Sequence, residues 1–401
     1  MKPSCHITVR AILMLALMLI LTIASSRIRA DSGTCGGAKT ALPFTDVATS
    51  PFFCLISEAY FSGLTSGTSA TTYSPSATVT REQMAAFGAR AMDQSLKRGS
   101  RRAALNQWST PDRLEGTTVG DGPKLVQSDG ADLWVANFED STVSRVRGSD
   151  GKNLETWTDA TKAFGVLVAR GRIFVTGLMA PGRLYRIDPT RPAGAVTTLS
   201  SSLGDDPEGI TTDGSFIWTA NTGGSVSKVS FDGTVETFTS DFVTPEGILY
   251  DGANIWVTDY TAETLLKLNS DGTIAQTVKV GAAPRFPIFD GTNIWVPNYT
   301  SDSVTVVRAS TGQVLATLTG NGLHSPYVAA FDGQRILVTN TAITSSMASL
   351  WTATDFAPVG FFKVFTFPAP FGACSDGINF WMTQHQSAFG GTHFPARLIR
   401  Y

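Results

Sequence analysis

Glu208 and Glu246 stand in near-identical settings, Pro207-Glu208-Gly209-Ile210 and Pro245-Glu246-Gly247-Ile248. Carboxylates at matching positions of neighbouring units can act as general acid and base, or offer oxygen to a divalent cation. With Asp259 close behind the second, the set Glu208, Glu246 and Asp259 could hold Ca or Mg. Arg285, at the matching position one unit on, could instead pair with the carboxylates and quench the site. Past the first thirty residues the histidines are His324, His385 and His393. Each is a candidate catalytic base, should the protein be an enzyme. No Gly-x-Ser-x-Gly elbow and no His-Glu-x-x-His pair occurs, so nothing in the motifs demands catalysis. No Cys-x-x-Cys occurs either, and no cofactor is expected. Cys35 and Cys54 bracket one small segment and are a natural disulfide pair in an oxidising compartment. Cys374 precedes an Asp-Gly turn in a strand-like run and reads as a packed core thiol.

The elements that position these groups are repeats. Asp251-Gly252-Ala253-Asn254-Ile255-Trp256-Val257 recurs as Asp290-Gly291-Thr292-Asn293-Ile294-Trp295-Val296. Aligned on the aromatic, the units centre on Trp134, Phe174, Trp218, Trp256, Trp295, Leu337 and Trp381, with gaps of 40, 44, 38, 39, 42 and 44 residues. Each contains an apolar run, an Asp-Gly turn, a second apolar run, an alternating strand such as Val226-Ser227-Lys228-Val229, and a Thr-rich strand. Asp-Gly tolerates the positive φ of tight hairpins, and period-two alternation marks strands with one wet face. Four strands every forty-odd residues, seven times over, predict a seven-bladed β-propeller across residues 113–401. The chain stops at a third strand, Arg397-Leu398-Ile399-Arg400, so the stretch from Arg113 to Val119 is expected to complete blade seven and leave no open edge.

A propeller gathers its loops at the channel mouths. The positions ten residues before the anchors are Lys124, Glu208, Glu246, Arg285, Tyr327 and Phe371, with Phe164 or Gly165 in blade two. Because this ring varies in chemistry, these residues are the ligand-binding candidates. A second ring follows the second strand: Asn137, Gly177, Asn221, Asp259, Asn298, Asn340 and Gln384. Its monotony reads as structural, the side chains satisfying their own loop backbone.

Residues 31–95 have another texture. Ser50-Pro51 starts a helix and Gly63 stops it, with Phe52, Leu55, Ile56 and Ala59 on one face. Thr80 with Gln83 makes a capping box for a second helix, whose apolar stripe is Met84, Phe87 and Ala91. The module is therefore expected to be small and α-helical. Residues 96–112 form a basic linker through Lys97, Arg98, Arg101 and Arg102, read as a solvated helix end. Residues 1–30 place Lys2 and Arg10 before an apolar run, Ala11 to Ile23, and small residues. That order predicts a secretory signal peptide and a secreted or envelope location, with no transmembrane segment in the mature chain. A net charge of −2 gives no reason to expect a nucleic-acid partner.

Two resemblances add to this reading. The Ile-Trp-Val-x-Asn blocks, with Ser303 to Gly312 downstream, resemble exported YVTN propeller repeats. The Pro-Glu-Gly-Ile segments resemble streptogramin-lyase and NHL-type propellers. Pro43-Phe44-Thr45-Asp46-Val47, Gly63-Leu64-Thr65-Ser66-Gly67, Tyr73-Ser74-Pro75 and Val79-Thr80-Arg81-Glu82-Gln83-Met84 resemble a single S-layer homology module. That resemblance implies binding of cell-wall polysaccharide or another envelope component through Arg81, although such modules usually act in threes. The expectation is a non-catalytic envelope or secreted protein binding a ligand or partner at its channel mouth. The rival is a metal-dependent lyase or lactonase using the same face, as the lyase resemblance implies; the His and Glu constellation of that family is not found in the matching blades.

Overall fold

The structure is a computed structural model. It describes residues 30–35, 38–61, 65–81, 83–84, 115–239, 241–342, 347–364, 369–385, 387–389 and 392–401, with 387–389 and 392–394 described by their backbone alone. The chain divides into two compact units, Met1–Ser109 and Thr110–Tyr401. Among the described residues no helix is long and apolar enough to cross a membrane. The proposed signal peptide and the basic cluster at 97–102 lie outside the described residues.

The second unit is a seven-bladed β-propeller. Six four-stranded antiparallel sheets take their strands in sequence order. The seventh orders Pro370–Ser375, Phe380–Gln384, Arg397–Arg400 and then Glu115–Thr118. The last pair runs Glu115↔Arg400 to Thr118↔Arg397, which is the closure expected from the offset of that strand.

The repeat has a local cause. In five blades the aspartate of the turn accepts a hydrogen bond from the indole N–H five residues on: Asp129 and Trp134 (2.9 Å), Asp213 and Trp218 (2.8 Å), Asp251 and Trp256 (2.7 Å), Asp290 and Trp295 (2.7 Å), Asp376 and Trp381 (2.6 Å). The other carboxylate oxygen takes backbone N–H groups of the turn, as at Thr292 and Asn293. One short acid thus ends the hairpin and satisfies a fully buried indole. Where the anchor is not Trp the device changes. Blade six has Leu337, and Asp332 bonds Arg335 instead. Blade two has Phe174 and turns through Arg170-Gly171 without an aspartate.

Neighbouring blades are tied near the axis by a threonine two residues after the anchor. The Thr258 hydroxyl accepts from Gly247 N–H in its own blade and donates to the Arg285 carbonyl in the next. Thr339 does the same between Val328 and Phe371, and Thr383 links Gly372 to Lys124, joining blade seven to blade one. In four blades glycine follows the ring residue, where the strands converge. A Cβ on Gly209 would lie 2.4 Å from the Glu246 carbonyl oxygen, and one on Gly372 would lie 2.3 Å from that of Lys124.

The first unit adds a β-hairpin to the helices expected of it. Its described part is a hairpin, Ser32–Cys35 paired with Ala38–Ala41, and one helix, Phe53–Phe61, joined by the Cys35–Cys54 disulfide. The buried face of the helix is Phe53, Ile56 and Ser57, packed on Leu42, Phe44 and Val47, whereas Phe52 (62%) and Leu55 (61%) are exposed. The buried stripe lies one residue along from the expected Phe52, Leu55, Ile56 and Ala59, and Phe52 precedes the helix. Asp31 directs the hairpin by accepting from the N–H groups of Val47 and Ala48. The capping box is present: Thr80 N–H donates to Gln83 Oε1 (2.9 Å) and Gln83 N–H to Thr80 Oγ1 (3.1 Å). Phe87 and Ala91 lie outside the described residues.

Candidate functional site

The first strand of each blade delivers one side chain to the same end of the channel, and there the ring predicted from spacing comes together. Glu246 is 2% exposed. Its Oε1 accepts from Arg285 Nη1, with Tyr327 Oη 3.4 Å away. The Arg285 guanidinium is enclosed by the rings of Tyr260 (4.3 Å), Tyr299 (4.8 Å) and Tyr327 (4.8 Å). Tyr327 in turn packs on Phe371 (4.3 Å) and Phe286 (5.5 Å), and Phe164 meets Phe286 and Phe371. These aromatics form a floor across the axis. Further along the same inner strands lies a cavity of about 300 Å³ of mixed character, lined among others by Leu125, Gln127, Ile210, Ile248 and Cys374. Burial there pushes the Cys374 thiol up, so it stays protonated and packs as a core group.

The electrostatics follow from two acids and two bases crowded on that floor. Burial, then the charge of Glu246, raises the Glu208 carboxyl to about 8. Burial also raises Glu246, opposed by Arg285 and by a hydrogen bond shared with Glu208. One proton is thus shared by the pair at neutral pH, held on Glu208, while Glu246 remains the anion facing Arg285. Treated as an ionised carboxylate, Glu208 leaves Oε2 buried without a partner; as an acid it has a proton to donate. Lys124 is stacked on Phe371 (4.7 Å), Phe138 (5.3 Å) and Phe164 (5.7 Å), and burial lowers its pKa against the pull of Glu208 and Glu139.

An outer tier surrounds this ring, formed by the residue after each second-ring position. It includes Phe138, Tyr260, Tyr299 and His385, none of which but His385 stood out in the sequence. The signal was available: each directly follows Asn137, Asp259, Asn298 or Gln384. The second ring itself is internal to the blades. Asn137, Asn221 and Asn298 each donate to two hydroxyls on the third strand, at Thr142 and Ser144, Ser225 and Ser227, Ser303 and Thr305. These are cross-strand bonds rather than the loop-backbone bonds expected.

The remaining candidates separate. His385 packs on Phe371 (5.3 Å), and burial lowers its imidazole to about 4, so it is neutral. His324 lies half-exposed beside Asp302, with Nδ1 3.4 Å from Oδ1. His393 belongs to the short strand Thr392–Phe394, paired with Ser387–Phe389, and its side chain lies outside the described residues. Asp259 is fully buried, and its carboxylate accepts from the N–H groups of Val243, Thr244 and Ala262. Arg81 is exposed at the start of the second helix. Ca or Mg asks for six or more oxygen ligands. Here Glu246 pairs with Arg285, and Asp259 accepts from backbone N–H groups. Among the described residues no three His, Cys, Asp or Glu side chains form a group that could hold a metal.

The molecule is thus a propeller with a charged, aromatic mouth, preceded by a small disulfide-linked module. Comparisons with known proteins sharpen both halves. Residues 43–85 match the S-layer homology domain. The propeller is similar to a streptogramin B lyase structure, at 18% identity and a TM-score of 0.58 over 72% of this chain and 96% of that one. It is also similar to a catalytically inactive virginiamycin B lyase from Staphylococcus aureus with quinupristin (16%, 0.57, 72% and 98%). A third likeness is Kuenenia stuttgartiensis hydrazine synthase (16%, 0.57, 72% and 99%). Such identities show the fold alone, and the different activities of those proteins make the same point. No curated protein matches this chain.

Proposed function

We propose that the protein is a cell-surface protein, held at the wall through residues 43–85, whose propeller mouth binds an acceptor-rich, partly apolar small molecule. The observation that carries the reading is the charge balance of the mouth. Arg285 is matched by Glu246, Glu208 holds its proton and His385 is neutral, so the Lys124 ammonium stands unbalanced on an aromatic floor. A carboxylate or polarised carbonyl next to a flat apolar group would meet the Lys124 ammonium while the apolar group lies on the aromatic floor. Calorimetric titration with benzoate as probe should show saturable binding that Lys124→Met weakens about tenfold. Equal binding by both proteins would overturn the assignment. For the wall-binding half, purified protein should pellet with envelope fractions, and Arg81→Ala should reduce that association; no change would remove Arg81 from the role.

A second reading, a lyase acting at the same mouth, is supported by Glu208, a carboxylic acid poised near neutral pH, together with the fold likeness. It requires a base beside that acid. The described contacts place His385 on Phe371 and His324 on Asp302. Turnover of a cyclic ester or lactone that is lost in both Glu208→Gln and His385→Ala would favour this reading over simple binding.

A further inference from the structure

A second cavity, of about 320 Å³, lies far from the axis, on the outer seam between blades one and two. Its walls include Trp157, at the end of the outermost strand of blade one, and Arg172, Arg186, Asp188, Arg191 and Pro192 of blade two. The seam is fixed by backbone. Thr158 N–H donates to the Gly194 carbonyl (2.9 Å) and Val196 N–H to the Thr158 carbonyl (2.9 Å), so the loop carrying Arg191 and Pro192 is pinned against blade one. Three arginines therefore line one pocket, two of them on the Asp188 carboxylate.

That carboxylate is already fully used. Asp188 Oδ1 accepts from the Thr190 hydroxyl (2.6 Å) and N–H (3.1 Å). Its Oδ2 faces Arg172 Nη2 (3.2 Å) and Arg191 Nε (3.6 Å). Asp188 thus orders two arginines and balances one charge, leaving an excess of positive charge in a concave polar site. Arg186 projects from the third strand of blade two, opposite Phe174 and Thr197, and is half-buried. Its guanidinium makes no ion pair with a described carboxylate. A planar fork of N–H donors, half-desolvated and lacking an anion, is matched to an oxyanion with two accessible oxygens.

We propose that this seam pocket binds a phosphate or carboxylate group, with Arg186 making the central bidentate contact and Arg172 and Arg191 flanking it. The site is separate from the channel mouth and does not depend on the reading of that mouth.

The test is calorimetric titration of the full chain with inorganic phosphate and, separately, glucuronate, with glucose as the uncharged control. Saturable binding of either anion, weakened about tenfold or more by Arg186→Gln and measured in the Lys124→Met background so that the mouth does not contribute, is the expected result. Preference for phosphate over glucuronate, or the reverse, identifies which source of oxyanion the pocket serves. Arg172→Gln provides a second variant, should Arg186→Gln fold poorly by thermal melting. No saturable binding up to about 10 mM, or equal binding by wild type and a folded arginine variant, overturns the proposal.

Discussion

At the same end of the same seven blades lie two rings of side chains, thirteen positions apart in each repeat, and they differ in kind. The inner ring runs Lys124, Phe164, Glu208, Glu246, Arg285, Tyr327 and Phe371, with a different chemistry at nearly every step. The second runs Asn137, Gly177, Asn221, Asp259, Asn298, Asn340 and Gln384, close to one theme. The monotonous ring bonds within its own blade and is fully or almost fully buried wherever it is polar. The varied ring bonds across blades, as Arg285 does to Glu246, and shares a proton across blades three and four. A repeat therefore spends its invariant polar positions on holding strands together and its variable ones on what the mouth meets.

That contrast can be broken at its strongest point first. Asp290→Ala removes the acceptor for the Trp295 indole and two turn N–H groups, and should cost about 2–4 kcal/mol of stability in denaturant unfolding. A cost below about 0.5 kcal/mol would mean the turn acid is dispensable. Asn298→Ala, in the second ring, strips two buried donors from Ser303 and Thr305 and should cost about 1–3 kcal/mol without altering ligand binding.

Inner-ring changes should instead alter pH behaviour and binding. With the Glu208 carboxyl raised to about 8, the folded state binds more protons than the unfolded one between the ordinary carboxylate range and pH 8. Its stabilising contribution is full at low pH and falls as pH climbs through 8. Glu208→Gln should flatten that slope, read from melting temperatures between pH 5 and 9; an unchanged slope would exclude the shared proton. His385 runs the other way. Its imidazole is lowered to about 4 by burial, so its contribution is present above the ordinary histidine range and lost as pH falls towards 4. The smallest stability effect belongs to Lys124→Met, within about 0.5 kcal/mol, since the stem can stay on Phe371 while the charge disappears. A large destabilisation would place Lys124 with the architectural ring.

The sequence carried the architecture because the determinants are local and repeated: Asp and Trp five apart in five blades, Gly after the ring residue in four, and Thr two after the anchor in four. Blade count, closing strand and the position of the inner ring all follow from these. The disulfide followed from the sparse cysteines. What escaped depended on tertiary angles. At Phe53–Phe61 the face that meets Leu42, Phe44 and Val47 lies one residue, about 100°, around from the expected stripe, which leaves Leu55 and the preceding Phe52 exposed. The hairpin at Ser32–Cys35 is too short and too polar to leave a pattern. Tyr260 and Tyr299 read as ordinary loop aromatics until the blades brought both onto Arg285.

The strand Glu115–Thr118 has a consequence in time. During synthesis it emerges ahead of every blade, yet its pairing partner, Arg397–Arg400, is made hundreds of residues later. Until then six blades can form while the ring stays open, with one orphan strand waiting at its seam. Closure is a long-range event whose rate is set by loop entropy rather than by local propensity.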